Sequence, residues 1–185
     1  LITVIIPMFN ESHNIEKCVE ILRSQTKQNF TAIFIDDGST DNTVELLKNS
    51  LEQNPAKFQY EILQQSNQGA AQARETGIHA CQTEYILILD CDDRISPDAI
   101  ELHHQSIAQY HPDIIMPKVK VQNKDLSYRD FQFFDDQVSH DGMTCLEHSL
   151  NRWEVHGWVC AKKTIFLKSY EIYRQYNPND ENYMN

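Results

Sequence analysis

The sequence predicts an α/β fold with a Rossmann-like, mostly parallel central sheet and helices on both faces. Two observations predict it. Short apolar runs of strand type recur about every 30 residues with helical patterns between them, which is the rhythm of βαβ units. The first run, residues 2–7 (ITVIIP), is almost continuously apolar, as expected of a strand covered on both sides. Right-handed crossovers between parallel strands then place helices on both faces.

The elements follow in order. After the first strand, Ile15, Cys18, Val19 and Leu22 recur at helical spacing and define one apolar face. Residues 32–35 (AIFI) form a second strand, ending in Asp36-Asp37-Gly38-Ser39. Asp41 is placed to cap the next helix, whose apolar face is Val44, Leu47 and Leu51. A third strand is expected over 58–63, an alanine-rich helix over 70–81 and a fourth strand over 85–89 (YILIL), ending in Asp90-Cys91-Asp92-Asp93. Ser96-Pro97 reads as an N-cap with proline at the first helical position, opening a helix that runs to about Tyr110. A fifth strand is expected within 113–121. From 122 to 141 the periodicity dissolves into polar and aromatic residues, read as an irregular or antiparallel insertion. Short helices are expected near 144–151 and 164–173.

The bulk numbers exclude some functions. The chain has 185 residues and 41% hydrophobic content, enough for one buried core, with 23% charged residues. Its net charge is −11, from 16 Lys+Arg against 27 Asp+Glu. A nucleic-acid binder needs a clustered basic surface to displace phosphate counterions, so nucleic acid is not an expected partner. Phosphate ligands remain compatible, because a divalent metal can supply positive charge locally. The five cysteines are scattered, without a C-x-x-C pair, and read as reduced thiols of a cytoplasmic protein. No apolar run reaches the ~18 residues needed to cross a bilayer. The chain opens at Leu1 without a methionine and stops at Asn185, so it is read as a fragment beyond which membrane or targeting segments would lie.

In open α/β sheets, ligands bind outside the carboxyl ends of the strands. The acidic residues sit at those ends: Glu11 after the first strand, Asp36 and Asp37 after the second, Asp90, Asp92 and Asp93 after the fourth. Each cluster alone is also ordinary turn or cap chemistry. Together they place mutually repelling carboxylates at one rim, which folding does not need and a metal ion rewards. Asp90-x-Asp92 with Asp93 suits Mn²⁺ or Mg²⁺, which take one or two carboxylates plus phosphate and water oxygens. Neither G-x-G-x-x-G nor a P-loop is present; the glycines are Gly38, Gly69, Gly77, Gly142 and Gly157. The charge of any phosphate ligand would therefore be met by the metal, by basic side chains such as Arg74, or by both.

The ordered motifs Val4-Ile5-Ile6-Pro7-Met8-Phe9-Asn10-Glu11, Asp36-Asp37-Gly38-Ser39-Thr40-Asp41-Asn42-Thr43, Asn67-Gln68-Gly69 with Ala73-Arg74-Glu75-Thr76-Gly77, and Leu89-Asp90-Cys91-Asp92-Asp93 resemble family 2 glycosyltransferases of the GT-A fold. The resemblance covers residues 2–113. It implies an inverting transferase that uses a nucleotide-diphospho-sugar. By position in those motifs, Pro7, Phe9 and Glu11 would line the nucleoside pocket, with Phe9 beside the base, and Asp37 would accept from the base's ring N–H. Asn67, Gly69 and Cys91 fall within the matching donor motifs. Arg74 would approach the diphosphate or its neighbouring carboxylates; Asp90 and Asp92 would serve ribose and metal, and Asp93 the metal or sugar. Glu75 stands where relatives usually have Asn, so it is expected either to pair with Arg74 or to face solvent.

Later in the chain, Trp158-Val159-Cys160-Ala161-Lys162 resembles the family's Trp-x-Lys segment before the last core helix. Asn179-Asp180-Glu181-Asn182-Tyr183 resembles the segment that holds the catalytic base, with Asp180 as the base and Glu181 as the alternative, since Asn179 replaces the usual glutamate. His156 and Trp158 are candidate acceptor contacts. The chain is thus expected to be one domain over 1–185. Residues 1–113 form its nucleotide-sugar half and 114–185 an acceptor-side half that breaks off at its C-terminal end.

The resemblance implies Mn²⁺ or Mg²⁺ as cofactor, a UDP-sugar as donor, and a glycan or lipid-linked acceptor in bacterial cell-surface polysaccharide assembly. The expected location is cytoplasmic, at the inner face of the membrane through segments outside this chain. The acceptor hydroxyl would attack the anomeric carbon opposite the diphosphate while a carboxylate takes its proton. The rivals are a non-catalytic sugar-nucleotide-binding domain and a nucleotidyltransferase. The latter usually holds its triphosphate in a glycine-rich basic loop after the first strand, where this chain has Met8-Phe9-Asn10-Glu11. A receiver domain would carry its acidic pair after strand one, where this chain has Pro7. His103 and His104 are adjacent on a helix, point in different directions and are expected at the surface.

Overall fold

A computed structural model describes residues 1–116, 119–122, 127–131 and 159–176. The described elements are β1 (Ile2–Met8), α1 (Ile15–Arg23), β2 (Phe30–Asp36), α2 (Thr43–Gln53), β3 (Gln59–Gln64), α3 (Ala70–Ala80) and β4 (Tyr85–Ile88). They continue with α4 (Ala99–Tyr110), β5 (Ile114–Ile115), β6 (Val119–Gln122), β7 (Tyr128–Phe131), β8 (Cys160–Lys162) and α5 (Lys163–Tyr176). No helix among the described residues is long and apolar enough to cross a membrane.

The main sheet has the order β3-β2-β1-β4-β8-β5. β1 pairs in parallel with β2 from Ile2↔Phe30 to Met8↔Asp36 and with β4 from Ile2↔Tyr85 to Ile5↔Ile88, and β2 pairs in parallel with β3. β8 runs antiparallel to both β4 and β5. The chain steps outward from β1 to β3, then crosses back to place β4 on the other side of β1. The topological switch point therefore lies between β1 and β4, and the crevice outside their carboxyl ends is where an open α/β sheet binds ligands.

The period-two alternation of β1 divides the core between two faces. Val4 and Ile6 turn with Phe34 and Leu87 toward Ile15, Cys18, Val19 and Leu22 of α1 and Leu47 and Leu51 of α2. Ile5 turns with Ile33, Ile35, Ile86 and Ile88 toward Ala73 and Ile78 of α3 and Phe166 and Tyr170 of α5. Each such aliphatic side chain contributes about 1.5–3 kcal/mol when fully buried. α3 approaches the sheet closely because Gly77 has no side chain. A Cβ there would stand 2.7 Å from both Ile35 Cδ1 and Ile5 Cγ2.

The elements through β4 agree with the sequence expectation within one or two residues. α4 starts later than expected, with Asp98 rather than Ser96 at its N-cap position. The Ser96 carbonyl instead accepts from Ala99 N in a preceding turn, and the Pro97 carbonyl accepts from Thr26 N. The expected fifth strand divides: Ile114–Ile115 joins the main sheet, whereas Val119–Gln122 pairs antiparallel with Tyr128–Phe131. β8 was not foreseen as a strand, and α5 is longer than expected at both ends. His103 is buried, not at the surface. Its Nδ1 lies 2.6 Å from the Ala99 carbonyl, and desolvation lowers its pKa. Cys18, Cys81, Cys91 and Cys160 are free and buried, and burial pushes the Cys160 thiol up to about 12. Cys145 and the helix expected over 144–151 lie outside the described residues.

Candidate functional site

The loops after β1 and β2 are tied together. Asn10 takes a left-handed conformation (φ 56°), which asparagine tolerates better than most residues. In that pose its Oδ1 accepts from Thr40 N at 2.8 Å and Asp41 N at 3.3 Å, while its own N–H donates to Ser39 Oγ at 2.9 Å. Asp41 reaches back to accept from Ser12 N at 3.2 Å and forward to accept from Thr43 N at 3.0 Å; it braces the start of α2 from one position before the N-cap, which is Asn42 and not Asp41 as expected. Desolvation opposes its ionised form, yet the hydrogen bonds from Thr43 and Ser12 prevail and hold its carboxyl at about 2.

The loops after β2 and β3 are tied by Asp37, which is 2% exposed. Its Oδ1 accepts from Gln65 Nε2 at 2.8 Å and Gln68 N at 2.9 Å, and its Oδ2 accepts from Gly69 N at 2.8 Å. Asp37 thus organises the Asn67-Gln68-Gly69 turn, and Oδ2 retains a lone pair for one further donor. Asp36 plays a similar part, accepting from Ser39 N and Gln64 Nε2. Gly38 (φ 76°) lets the loops pass: a Cβ there would lie 2.9 Å from Asn67 N.

At the switch point, Arg74 of α3 meets Asp90 after β4. Arg74 Nη2 bridges both carboxylate oxygens at 2.9 Å each, with the side chains 14% and 29% exposed. Arg74 Nε is buried and meets no acceptor among the described residues. A buried, unmet guanidinium N–H costs free energy until an acceptor arrives. Asp92 is exposed and Asp93 half-buried in the turn, where Asp93 N donates to the Asp90 carbonyl at 3.1 Å. The Cys91 side chain turns into the core, its Sγ 3.8 Å from the Pro7 carbonyl, and contact with the Cys18 thiol and burial raise its pKa. Only its backbone faces the rim. Pro7 is buried in the strand, Phe9 is 43% exposed, and Glu11 is half-buried and accepts from Asn14 Nδ2 at 2.8 Å.

The donors at this rim are all oxygens, the ligand type that Mn²⁺ and Mg²⁺ prefer. Among the described residues, no three His, Cys, Asp or Glu side chains converge as a metal-binding group. Asp90 is engaged by Arg74, and the next carboxylates along the turn are the exposed Asp92 and the half-buried Asp93. That set suits an ion that draws most of its ligands from a diphosphate and water, and not one caged by protein.

Glu75 departs from both expectations. It neither pairs with Arg74 nor faces solvent; its side chain is 3% exposed, ion-paired with Arg174 of α5 and 3.5 Å from His79 Nε2. Consecutive helix positions point about 100° apart, so Arg74 and Glu75 serve different neighbours. Sequence reading also passed over Gln65 and Arg174. Gln65 had a faint signal, its place just past a strand, while Arg174 had none, since its partner lies 99 residues away. The catalytic candidates Asp180 and Glu181 and the acceptor candidates His156 and Trp158 lie outside the described residues.

Comparison with known proteins gives the family and the fold. The family model described as glycosyl transferase family 2 matches residues 3–167. The glycosyltransferase GlyG of Streptococcus pneumoniae serotype 4 is 36% identical over 135 residues, which cover 72% of this chain and 43% of that protein. The chondroitin synthase of Escherichia coli is 32% identical over 126 residues, 68% of this chain and 18% of that protein. The chain therefore spans less than half the length of either relative. Among solved structures, S. aureus TarS 1–349 superposes with a TM-score of 0.73 at 21% identity, covering 92% of this chain and 49% of that one. The same protein in complex with UDP-GlcNAc matches with a TM-score of 0.56 at 25% identity, over 61% of this chain and 32% of that one.

Proposed function

The chain belongs to glycosyl transferase family 2, and we propose that it binds a nucleoside-diphosphate sugar and passes the sugar to an acceptor hydroxyl with inversion. The observation that carries this reading is the meeting of Arg74 and Asp90 at the β1/β4 switch point, on the same carboxyl rim of the sheet as the buried carboxylate of Asp37. Phe9, exposed after β1, has a free face for a nucleobase to stack on. The remaining lone pair on Asp37 Oδ2 can accept one ring N–H, a donor that uracil, thymine and guanine have and cytosine lacks. Arg74 Nε, buried and unmet, wants an acceptor of the kind a diphosphate oxygen supplies.

Asp92 and Asp93 would hold a divalent cation, which supplies neutralisation of the charge that gathers on the departing diphosphate. The chain's own part is to fix the nucleoside between Phe9 and Asp37 and the diphosphate near Arg74. Asp180 or Glu181 would accept the proton of the attacking hydroxyl. A single in-line displacement needs no covalent nucleophile, which accords with thiols buried and, at Cys91 and Cys160, raised in pKa. The UDP-GlcNAc bound by TarS supports a UDP-sugar donor, and the chondroitin synthase relative supports a polysaccharide product; a glycan or lipid-linked acceptor met at the inner face of the bacterial membrane completes the proposal.

Calorimetric titration with UDP, GDP and dTDP, with and without Mn²⁺, tests the reading, with Asp92→Ala as the comparison. One diphosphate should bind, should need the metal, and should fail to bind to the variant even with the metal present. Folded protein that binds none of them under any condition overturns the proposal, and binding without transfer to any acceptor by the longest available chain leaves only a sugar-nucleotide-binding domain.

A further inference from the structure

Phe9, the exposed ring after β1, is flanked on both sides by bonds to the loop that follows β2. On one side the Met8 carbonyl accepts from Asp37 N at 2.9 Å. On the other, Asn10 N donates to Ser39 Oγ at 2.9 Å. Asn10 Oδ1 also accepts from Thr40 N at 2.8 Å, Thr40 Oγ1 at 3.3 Å and Asp41 N at 3.3 Å. Two of those donors are backbone N–H groups, which cannot accept, so the side-chain atom that faces them is the oxygen. Ser12 N, donating to Asp41, closes the clasp from the opposite direction. The backbone of Phe9 thus stands between two joins, residue 8 to 37 and residue 10 to 39, and they set its place relative to Asp37.

The core does not call for this clasp. Phe9, Asn10, Thr40 and Asp41 are all exposed, so water would satisfy the same polar groups. Yet Asn10 holds a left-handed φ of 56°, and such conformations gather where a surface is fixed for binding. We infer, resting on the glycosyltransferase reading above, that Asn10 is a positioning residue that fixes the gap between Phe9 and Asp37, and through that gap the choice of nucleobase. The element that tells bases apart is the open lone pair on Asp37 Oδ2, which accepts only from a base with a ring N–H. Stacking on Phe9 tolerates sliding, because every base has a face to offer. A hydrogen bond does not, since it weakens steeply as it leaves its line. A Phe9 free to shift would therefore keep its stacking and lose the alignment that discrimination needs.

The test is calorimetric titration in the presence of Mn²⁺. UDP, dTDP and GDP identify the diphosphate that binds. That one is then compared with CDP, or with ADP should it be GDP, since neither cytosine nor adenine carries a ring N–H. The proteins are wild type, Asn10→Gly, Asn10→Ala and Ser39→Ala. Asn10→Gly keeps the left-handed conformation and removes the acceptor, Asn10→Ala gives up both, and Ser39→Ala removes only the bond from Asn10 N. Wild type should prefer its diphosphate over the comparator by at least about tenfold, the scale of one hydrogen bond to a charged group. Asn10→Gly should shrink that preference to about twofold, Asn10→Ala should abolish it, and Ser39→Ala should fall between Asn10→Gly and wild type. Affinity for the comparator, which makes no bond to Asp37, should hold within about threefold throughout. A residue that only supports the fold would weaken both ligands alike and leave their ratio unchanged, and that result overturns the inference. So does an undiminished preference in the folded variants. Wild type that binds a diphosphate without preferring it to the comparator also overturns the inference, because Asp37 then reads no base. Wild type that binds no nucleoside diphosphate overturns the glycosyltransferase reading itself, before any variant is made.

Discussion

Replacing Gly38 by alanine tests how the β2 and β3 loops build the donor rim. Gly38 has φ of 76°, and its Cβ would stand 2.9 Å from Asn67 N, a backbone atom that no rotamer change can move aside. The left-handed conformation costs roughly 1–2 kcal/mol for a residue with a Cβ. Relieving the contact means shifting the Asn67-Gln68-Gly69 turn, whose Gln68 and Gly69 N–H groups donate to Asp37. Weakening one hydrogen bond to a charged group removes about 1.5 kcal/mol or more. The sum is about 3 kcal/mol, and at roughly 2–4 °C per kcal/mol for a chain of this size the melting temperature should fall by about 6–12 °C. Affinity for the nucleoside diphosphate should fall at least about tenfold, the equivalent of 1.4 kcal/mol. Scanning calorimetry and titration read the two effects separately. Gly38→Asn is the control: asparagine tolerates the left-handed region, so it should recover about 1 kcal/mol of strain while keeping the contact with Asn67. A Gly38→Ala protein that melts within 1 °C of wild type and binds undiminished would refute the reasoning.

Three further outcomes are expected. Gly77→Ala sets the clash with Ile5 and Ile35, about 1–3 kcal/mol of overpacking, against a helix-propensity gain of about 1 kcal/mol, so thermal melting should show a net loss of up to about 2 kcal/mol. Asp90→Asn should weaken diphosphate affinity and leave the half-buried Arg74 without its counter-charge, costing about 1–3 kcal/mol of stability in denaturant titration. Asp41 has its carboxyl lowered from an ordinary 3.8 to about 2, so its contribution is present above 3.8 and lost as pH falls through 2. The melting-temperature gap between wild type and Asp41→Ala should accordingly narrow between pH 4 and pH 2, and a gap constant over that range would contradict the assignment.

Legibility in the sequence tracked how local the deciding physics was. β1 could be read because its apolar run declares burial on both faces, and α1 because Ile15, Cys18, Val19 and Leu22 repeat at the helical period; all are buried as expected. The rim residues were legible as types at strand ends, but their partners were not. That Asp37 spends its oxygens on Gln65, Gln68 and Gly69, and that Asp90 is bridged by Arg74, depends on how separate βα units abut. His103 looks like a surface residue in a polar helix, and only the packing of α4 on the sheet buries it. β8 has three residues with no periodicity to betray them; its strand character is imposed by the waiting edges of β4 and β5.

That late strand has a consequence for biosynthesis. β8 runs against every other strand of its sheet and separates two that precede it in the chain by dozens of residues. When a nascent chain has emerged only as far as β5, β4 has a partner on one flank alone and β5 has none. A half-made protein thus offers the ribosome-proximal cytosol an apolar strand edge, Tyr85 to Ile88, open to pairing with any neighbour in the same condition. Chains released between β5 and β8 should accumulate as aggregates, and those that include β8 and α5 should remain dispersed, so the smallest unit that folds cleanly is set by where β8 ends and not by the boundary of the nucleotide-binding motifs.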